Sequence, residues 1–258
     1  MSNARSNVEE SALLGLARMI GFVALGVVAL AVGTRMLSLT WRTREFPEAA
    51  IGVHILVLML GYSVEFAGIE AAEEFGMFAV LLRGVGNLCY VIAILVYLLF
   101  TWRVFRPGSR VAAVVACSSI LALVVGWSGE VFTSDFDFGS DRFRAPWFWM
   151  AFVPRLVCMS WAAGESLLEY RRARRRTRLG LSDPLVSNRF LLWGLAALSE
   201  CLIYVVVMSG IIRGVPSDFL NGTTALVVSA LGMSAAITIL LAFLPPRSYR
   251  RWIESRHA

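Results

Sequence analysis

His54, Glu65, Arg83, Arg155 and Glu200 are ionisable residues set inside long apolar runs. Such groups are costly at membrane depth, face other protein rather than lipid, and mark functional positions by default. Their spacing places them on shared helical faces. His54 and Glu65 stand about three turns apart with Gly61 between them, and Arg83, Asn87 and Tyr90 form an i, i+4, i+7 stripe. Arg155 follows Pro154, with Ser166 on its face and Glu165 close by; further on, Trp193, Glu200 and Tyr204 align, as do Ser234 and Thr238. The chemistry open to such a set is proton exchange, charge pairing, or recognition of a ligand or ion inside a polar interior.

Depth indicates which charges meet. At about 1.5 Å per residue, Arg155 and Glu200 come out nearly level in a hydrocarbon core of about 30 Å, on consecutive antiparallel spans. Glu65 and Arg83 are a second candidate pair in the outer half. Two readings stay open: fixed ion pairs that select one helix arrangement, or groups that line a ligand pocket or proton path and exchange partners between states.

Several chemistries lack their residues. No GxxxxGK[ST], GxSxG or HExxH occurs, so nucleotide, serine-hydrolase and zincin sites are not expected. There is also no aspartate-rich pair suited to Mg²⁺-dependent transfer. No catalytic residue is assigned and an enzyme is not expected. His54 is the only histidine within an apolar run, His257 lying in the terminal tail, and a bis-His haem needs two. The chain has no lysine, which excludes a retinal Schiff base. Cys89, Cys117, Cys158 and Cys201 lie in separate apolar runs with no CxxC and read as small packing residues. The stretch Asp135, Asp137, Gly139, Asp141 has a D-x-D-x-G-x-D spacing, but the twelfth position of an EF-hand would be Pro146 instead of Glu, so a solvated acidic loop is expected. Neither a metal nor a cofactor is expected. The interleaved Phe132, Phe136, Phe138 and Phe143 would fold down as a lid over the outer mouth or lie in the interface.

The elements that position these residues follow from composition. The chain has 258 residues, 58% hydrophobic, with a mean hydropathy of +0.70, more apolar surface than one soluble core buries. A spanning helix needs about 20 predominantly apolar residues, and seven stretches qualify, at about 12–38, 48–68, 76–101, 111–129, 146–169, 189–212 and 222–244. The fold expected is all-α, a polytopic helical bundle forming a single transmembrane domain over 1–258. The start MSNARSNVEES reads as leading into a retained first span rather than a cleaved signal.

Charge sets orientation. All 24 basic residues are Arg, and they bunch after spans one (Arg35, Arg42, Arg44), three (Arg103, Arg106, Arg110), five (Arg171 to Arg178) and seven (Arg247, Arg250, Arg251, Arg256). The opposite connections hold Glu70, Glu73, Glu74, Glu130, Asp135, Asp137, Asp141 and Asp218 against Arg142, Arg144 and Arg213. The basic side is expected to be cytoplasmic, giving an N-terminus outside the cytoplasmic membrane. Trp41, Trp102 and Trp252 fall on the inner edge, and Trp127, Trp147 and Trp149 on the outer, as interfacial belts require.

Arg171, Arg172, Arg174, Arg175, Arg176 and Arg178 form the densest charge run, in the inner loop 169–184. Anionic headgroups account for them, with docking of a cytoplasmic partner protein as the other reading. The net charge of +6 does not point to nucleic acid, because the Arg clusters flank apolar segments. The tail PPRSYRRWIESRHA reads as an interfacial segment anchored by Trp252 and Ile253. Small residues such as Ala230 and Ser234 permit close helix contact and homo-oligomers.

The seven-span, N-outside pattern, the basic third cytoplasmic loop and the ending LLAFLPPRSYRRWIESRHA together resemble bacterial seven-helix membrane sensor proteins. The resemblance covers the whole chain in architecture but only about 240–254 in local sequence, and it assigns no individual functional residue. It implies a sensor or receptor module that binds a small ligand or lipid in an outward-facing polar and aromatic pocket and signals through the Arg-rich inner face. The sequence stops shortly after the last span, so a separate partner would carry the output. The alternative is a small transporter or an ion or proton channel using His54, Glu65, Arg155 and Glu200, with Pro154 marking a broken helix.

Overall fold

A computed structural model describes residues 2–133, 143–213 and 223–255. Among them the chain is helical throughout, without strands: α1 (Ser2–Thr43), α2 (Phe46–Glu70), α3 (Ala72–Phe105), α4 (Arg110–Thr133), α5 (Pro146–Arg178), α6 (Pro184–Ile212), α7 (Thr223–Phe243) and α8 (Arg247–Ser255). Six helices are long and apolar enough to cross a membrane: Met19–Thr43, Phe46–Gly68, Gly76–Phe105, Arg110–Thr133, Pro184–Ile212 and Thr224–Phe243. The chain is therefore a multi-pass helical membrane protein. Large apolar side chains such as Leu30, Val111, Val114, Leu121 and Ile237 are exposed, as suits helices whose solvent is lipid.

Helix α5 differs from the six. Its 33 residues are ample in length, but Pro154, Arg155, Glu165 and the Arg run make it less apolar. The acidic loop with Asp135, Asp137, Gly139 and Asp141, the rings of Phe136 and Phe138, and Asp218 and His257 lie outside the described residues. Phe143 does fold onto protein, its ring 5.1 Å from that of Phe148, whereas Phe132 is exposed.

Local signals fix the connections. Between α3 and α4, Gly108 takes φ 82° and the Ser109 hydroxyl accepts from the amide of Ala112 at 3.3 Å, capping α4. After α5, Gly180 takes φ 70° and the amide of Leu181 reaches back to the Arg176 carbonyl at 2.9 Å, closing the helix in the manner of a glycine C-cap. Asp183 then caps α6, its carboxylate accepting from the amide of Leu185 at 2.8 Å, with Pro184 in the first helical position. The six arginines from Arg171 to Arg178 expected in a loop thus lie in the last turns of α5 instead, and all six are exposed. Arg is a good helix former, and Arg172 also donates to the Glu169 carboxylate a turn back.

The chain forms two compact units, Ala29–Cys158 and Met1–Val28 with Met159–Ala258. In the first, glycine permits close helix crossings. A Cβ at Gly52 would lie 2.9 Å from the Leu37 side chain of α1, one at Gly86 would lie 2.8 Å from the Glu65 backbone nitrogen of α2, and one at Gly126 would lie 2.5 Å from the Ala151 nitrogen of α5. In the second, α5 meets α6 where the Ser160 hydroxyl and the Cys201 thiol lie 3.3 Å apart. There α6 meets α7 through Ser199 and Ser234, 3.4 Å apart, and through the rings of Trp193 and Phe243 at 5.2 Å.

The C-terminal segment was expected to anchor in the interface through Trp252 and Ile253. Trp252 is exposed, but Ile253 is buried within the protein, and Tyr249 exchanges hydrogen bonds with the Asn188 amide of α6 at 3.1 and 3.3 Å. A nine-residue helix is too short to persist alone in water, so this docking holds it. The double change Tyr249→Phe with Ile253→Ser should release α8. Amide exchange over 247–255 should then accelerate by at least about tenfold while the middle of α6 stays protected. Unchanged protection would show that other contacts hold the helix.

Candidate functional site

The polar stripes of α2 and α3 face one another. Gly61 comes close enough that a Cβ there would lie 3.0 Å from the Gly86 carbonyl and 3.4 Å from the Tyr90 ring. One turn further along α2, Glu65 packs beside Gly86, and Arg83 lies against Gly68. Glu65 and Arg83, expected to pair, are thus each set against a glycine of the other helix. His54, on the same face of α2, is buried; its Nδ1 lies 2.9 Å from the Ala93 carbonyl and its ring stacks on Tyr97 at 4.2 Å. That geometry makes Nδ1 the protonated nitrogen, since a carbonyl only accepts.

Arg155 provides the centre. Pro154 has no N–H for the Met150 carbonyl, and the next residue projects a guanidinium toward α3. Its Nη2 donates to Asn87 Oδ1 at 3.0 Å, and its Cζ sits 5.7 Å from the centroid of Tyr90, within cation–π range. Tyr90 in turn meets Tyr62 of α2 edge-to-face at 4.9 Å. Asn87 is 3% exposed. The stripe Arg83, Asn87, Tyr90 thus splits: Asn87 and Tyr90 turn to Arg155, and Arg83 to the α2 crossing. Arg155 Nε is buried and meets no acceptor among the described residues.

Beside this centre, α4 and α5 leave a groove of about 440 Å³ lined by Ser118, Ser119, Trp149, Met150, Val153 and Pro154, among others. The residue whose carbonyl the proline frees and the proline itself both line it.

Glu200, expected to pair with Arg155, and Tyr204, on the same helical face, belong to the other unit, where both are partly buried. In that unit Glu165 is buried and accepts from Trp161 Nε1 at 3.3 Å, and the Ser166 hydroxyl is wholly buried. The Thr238 hydroxyl, expected to line the interior, bonds the Ser234 carbonyl of its own helix at 2.8 Å.

Glu130 was assigned to the outer loop, yet it lies in α4 and is 4% exposed. A periodic signal could have found it. Ala112, Ala116, Ser119, Leu123, Gly126 and Glu130 are the buried residues of α4, an alternation of four and three that defines one helical face. No protein-family model matches this chain, and no curated protein or solved structure does either.

Proposed function

We propose that this protein is a membrane sensor that binds a small ligand at Asn87, Tyr90 and Arg155 and signals through the arginines at the end of α5. The observation that carries the reading is that Arg155 and the six exposed arginines belong to one continuous helix, Pro146–Arg178. A ligand that pulls on the guanidinium loads the same rod that presents the Arg run. Those arginines suit anionic headgroups or an acidic cytoplasmic partner.

The topology that goes with this is seven spans with the N-terminus outside, α5 being the seventh. The Arg bunches stand at or just beyond the C-terminal ends of α1, α3, α5 and α7, and only a crossing α5 puts all four on one side. Arg155 then stands in the middle of a span, held by Asn87. No catalytic role is proposed.

Purified protein screened against small metabolites and lipids should show a ligand-dependent rise in Tm that Arg155→Met removes. A library with no stabilising compound, or a stabiliser indifferent to Arg155→Met, would reject this site. The second reading is transport, for which Pro154 inside α5 beside Arg155, where the Met150 carbonyl loses its helical donor, is the specific support. Proteoliposome flux under a proton or ion gradient separates the two. Uptake above empty vesicles that Glu200→Gln abolishes would favour transport over sensing.

A further inference from the structure

We infer that the ligand class of this site is a small monocarboxylate with an apolar or aromatic body. The inference rests on the sensor reading for its site and adds the chemistry of the ligand. Arg155 has no proton acceptor function, so the Asn87 atom facing its Nη2 must be the amide oxygen, as built. That contact uses the Asn87 amide oxygen, so the amide nitrogen, a donor, is not engaged by Arg155. Arg155 Nε is a buried donor without an acceptor among the described residues. Around the guanidinium, donors therefore outnumber the acceptors that meet them.

A cation is repelled by such a set. A neutral carbonyl compound would satisfy one donor and leave the guanidinium charge uncompensated at membrane depth, which is the costlier problem. A carboxylate supplies two acceptor oxygens and the missing charge, in the planar geometry a guanidinium edge matches. The walls select the remainder of the molecule. Tyr90 lies under the guanidinium, and it packs with Leu58 and Ala93, flanked by Val57 and Tyr62, so the part of the ligand beyond the carboxylate meets aromatic and aliphatic surface. Depth separates a free anion from a lipid headgroup. Arg155 lies roughly 14 Å along α5 from Pro146 at 1.5 Å per residue, below the level where phosphate headgroups sit in a bilayer whose hydrocarbon core is about 30 Å.

The test uses the full chain in zwitterionic nanodiscs, with benzoate as probe and benzamide as its neutral counterpart. Inorganic phosphate and nanodiscs containing phosphatidylglycerol are the other two arms. Benzoate should raise Tm and bind by calorimetry, benzamide should do neither, and Arg155→Met should weaken benzoate binding by about tenfold or more. Arg155→Lys, which keeps the charge but loses the planar edge, should fall in between. The wild-type comparison of benzoate with benzamide stands even if a variant fails to fold. Equal effects of the two probes overturn the inference, as does stabilisation by phosphatidylglycerol alone, which would make the site a headgroup site. Benzoate binding seen only in Glu200→Gln overturns it as well, because the chain's own carboxylate would then fill the place. A neutral compound that stabilises the wild type and not Arg155→Met would remove the monocarboxylate and leave the sensor reading intact.

Discussion

Gly126→Leu is expected to destabilise the protein by several kcal/mol, more than any other single change at a helix crossing. A Cβ at this position would lie 2.5 Å from the Ala151 nitrogen, 2.7 Å from the Met150 carbonyl carbon and 2.8 Å from the Trp147 carbonyl oxygen. All three are backbone atoms of α5, so no side chain can swing aside and the helices must part. Overpacking of a well-packed core costs about 1–3 kcal/mol when side chains give way, and more when they cannot. Separation at this crossing also opens the groove beside Pro154 and shifts the turn that carries Arg155. Gly164→Leu is the matched control, since nothing lies within 4 Å of its Cβ position. It should be neutral or slightly stabilising, glycine being about 0.8–1.0 kcal/mol poorer than alanine in a helix. Thermal unfolding in detergent compares the two directly. Equal melting temperatures would mean that α4 and α5 do not approach as closely as the backbone distances state.

The reach of the sequence can be traced through particular residues. The faces of α2 and α3 were legible because His54, Gly61 and Glu65, and Asn87 and Tyr90, fall at helical spacing, and a polar or glycine residue in an apolar run has few places to point but inward. The Arg run of α5 was misread because the positive-inside rule reports the side of the membrane and says nothing about conformation. The true stop signals, Gly180 and then Asp183 with Pro184, stood a few residues further on. Glu130 was lost at a boundary, where a span was ended by its hydropathy instead of by its periodic face. For Arg155, counting residues from a helix end gives height in the bilayer, and so levels it with Glu200, but it gives no azimuth around the bundle. Azimuth comes from which helices pack, which is why the contact with Asn87 of α3 was not legible. Ile253 failed for a related reason: an amphipathic nine-residue helix covers lipid and covers protein with the same pattern.

The second large effect concerns Asn87, whose amide oxygen is the hydrogen-bond acceptor that Arg155 meets, at 3.0 Å. Asn87→Leu preserves approximate volume and apolar character while removing that oxygen. Among the described residues, the guanidinium then keeps the Tyr90 face, at 5.7 Å. A hydrogen bond to a charged group contributes about 1.5–3 kcal/mol, and if α5 crosses as proposed, a charge near the middle of a span costs about 2.5–3.5 kcal/mol on insertion scales, so a loss of a few kcal/mol is expected. Arg155→Met should cost less, because it removes the charge and leaves a neutral amide whose oxygen lacks one donor. The double change Asn87→Leu with Arg155→Met should be more stable than Asn87→Leu alone, since no buried polar group is then stranded. The coupling in this cycle should exceed about 1 kcal/mol, as for residues in direct contact. A parallel cycle of Arg155→Met with Glu200→Gln measures the charge pairing expected from depth. If Asn87→Leu melts with the wild type while the Glu200 cycle shows strong coupling, then the carboxylate compensates Arg155 and the amide does not. The binding site built on Asn87 would have to be abandoned with it.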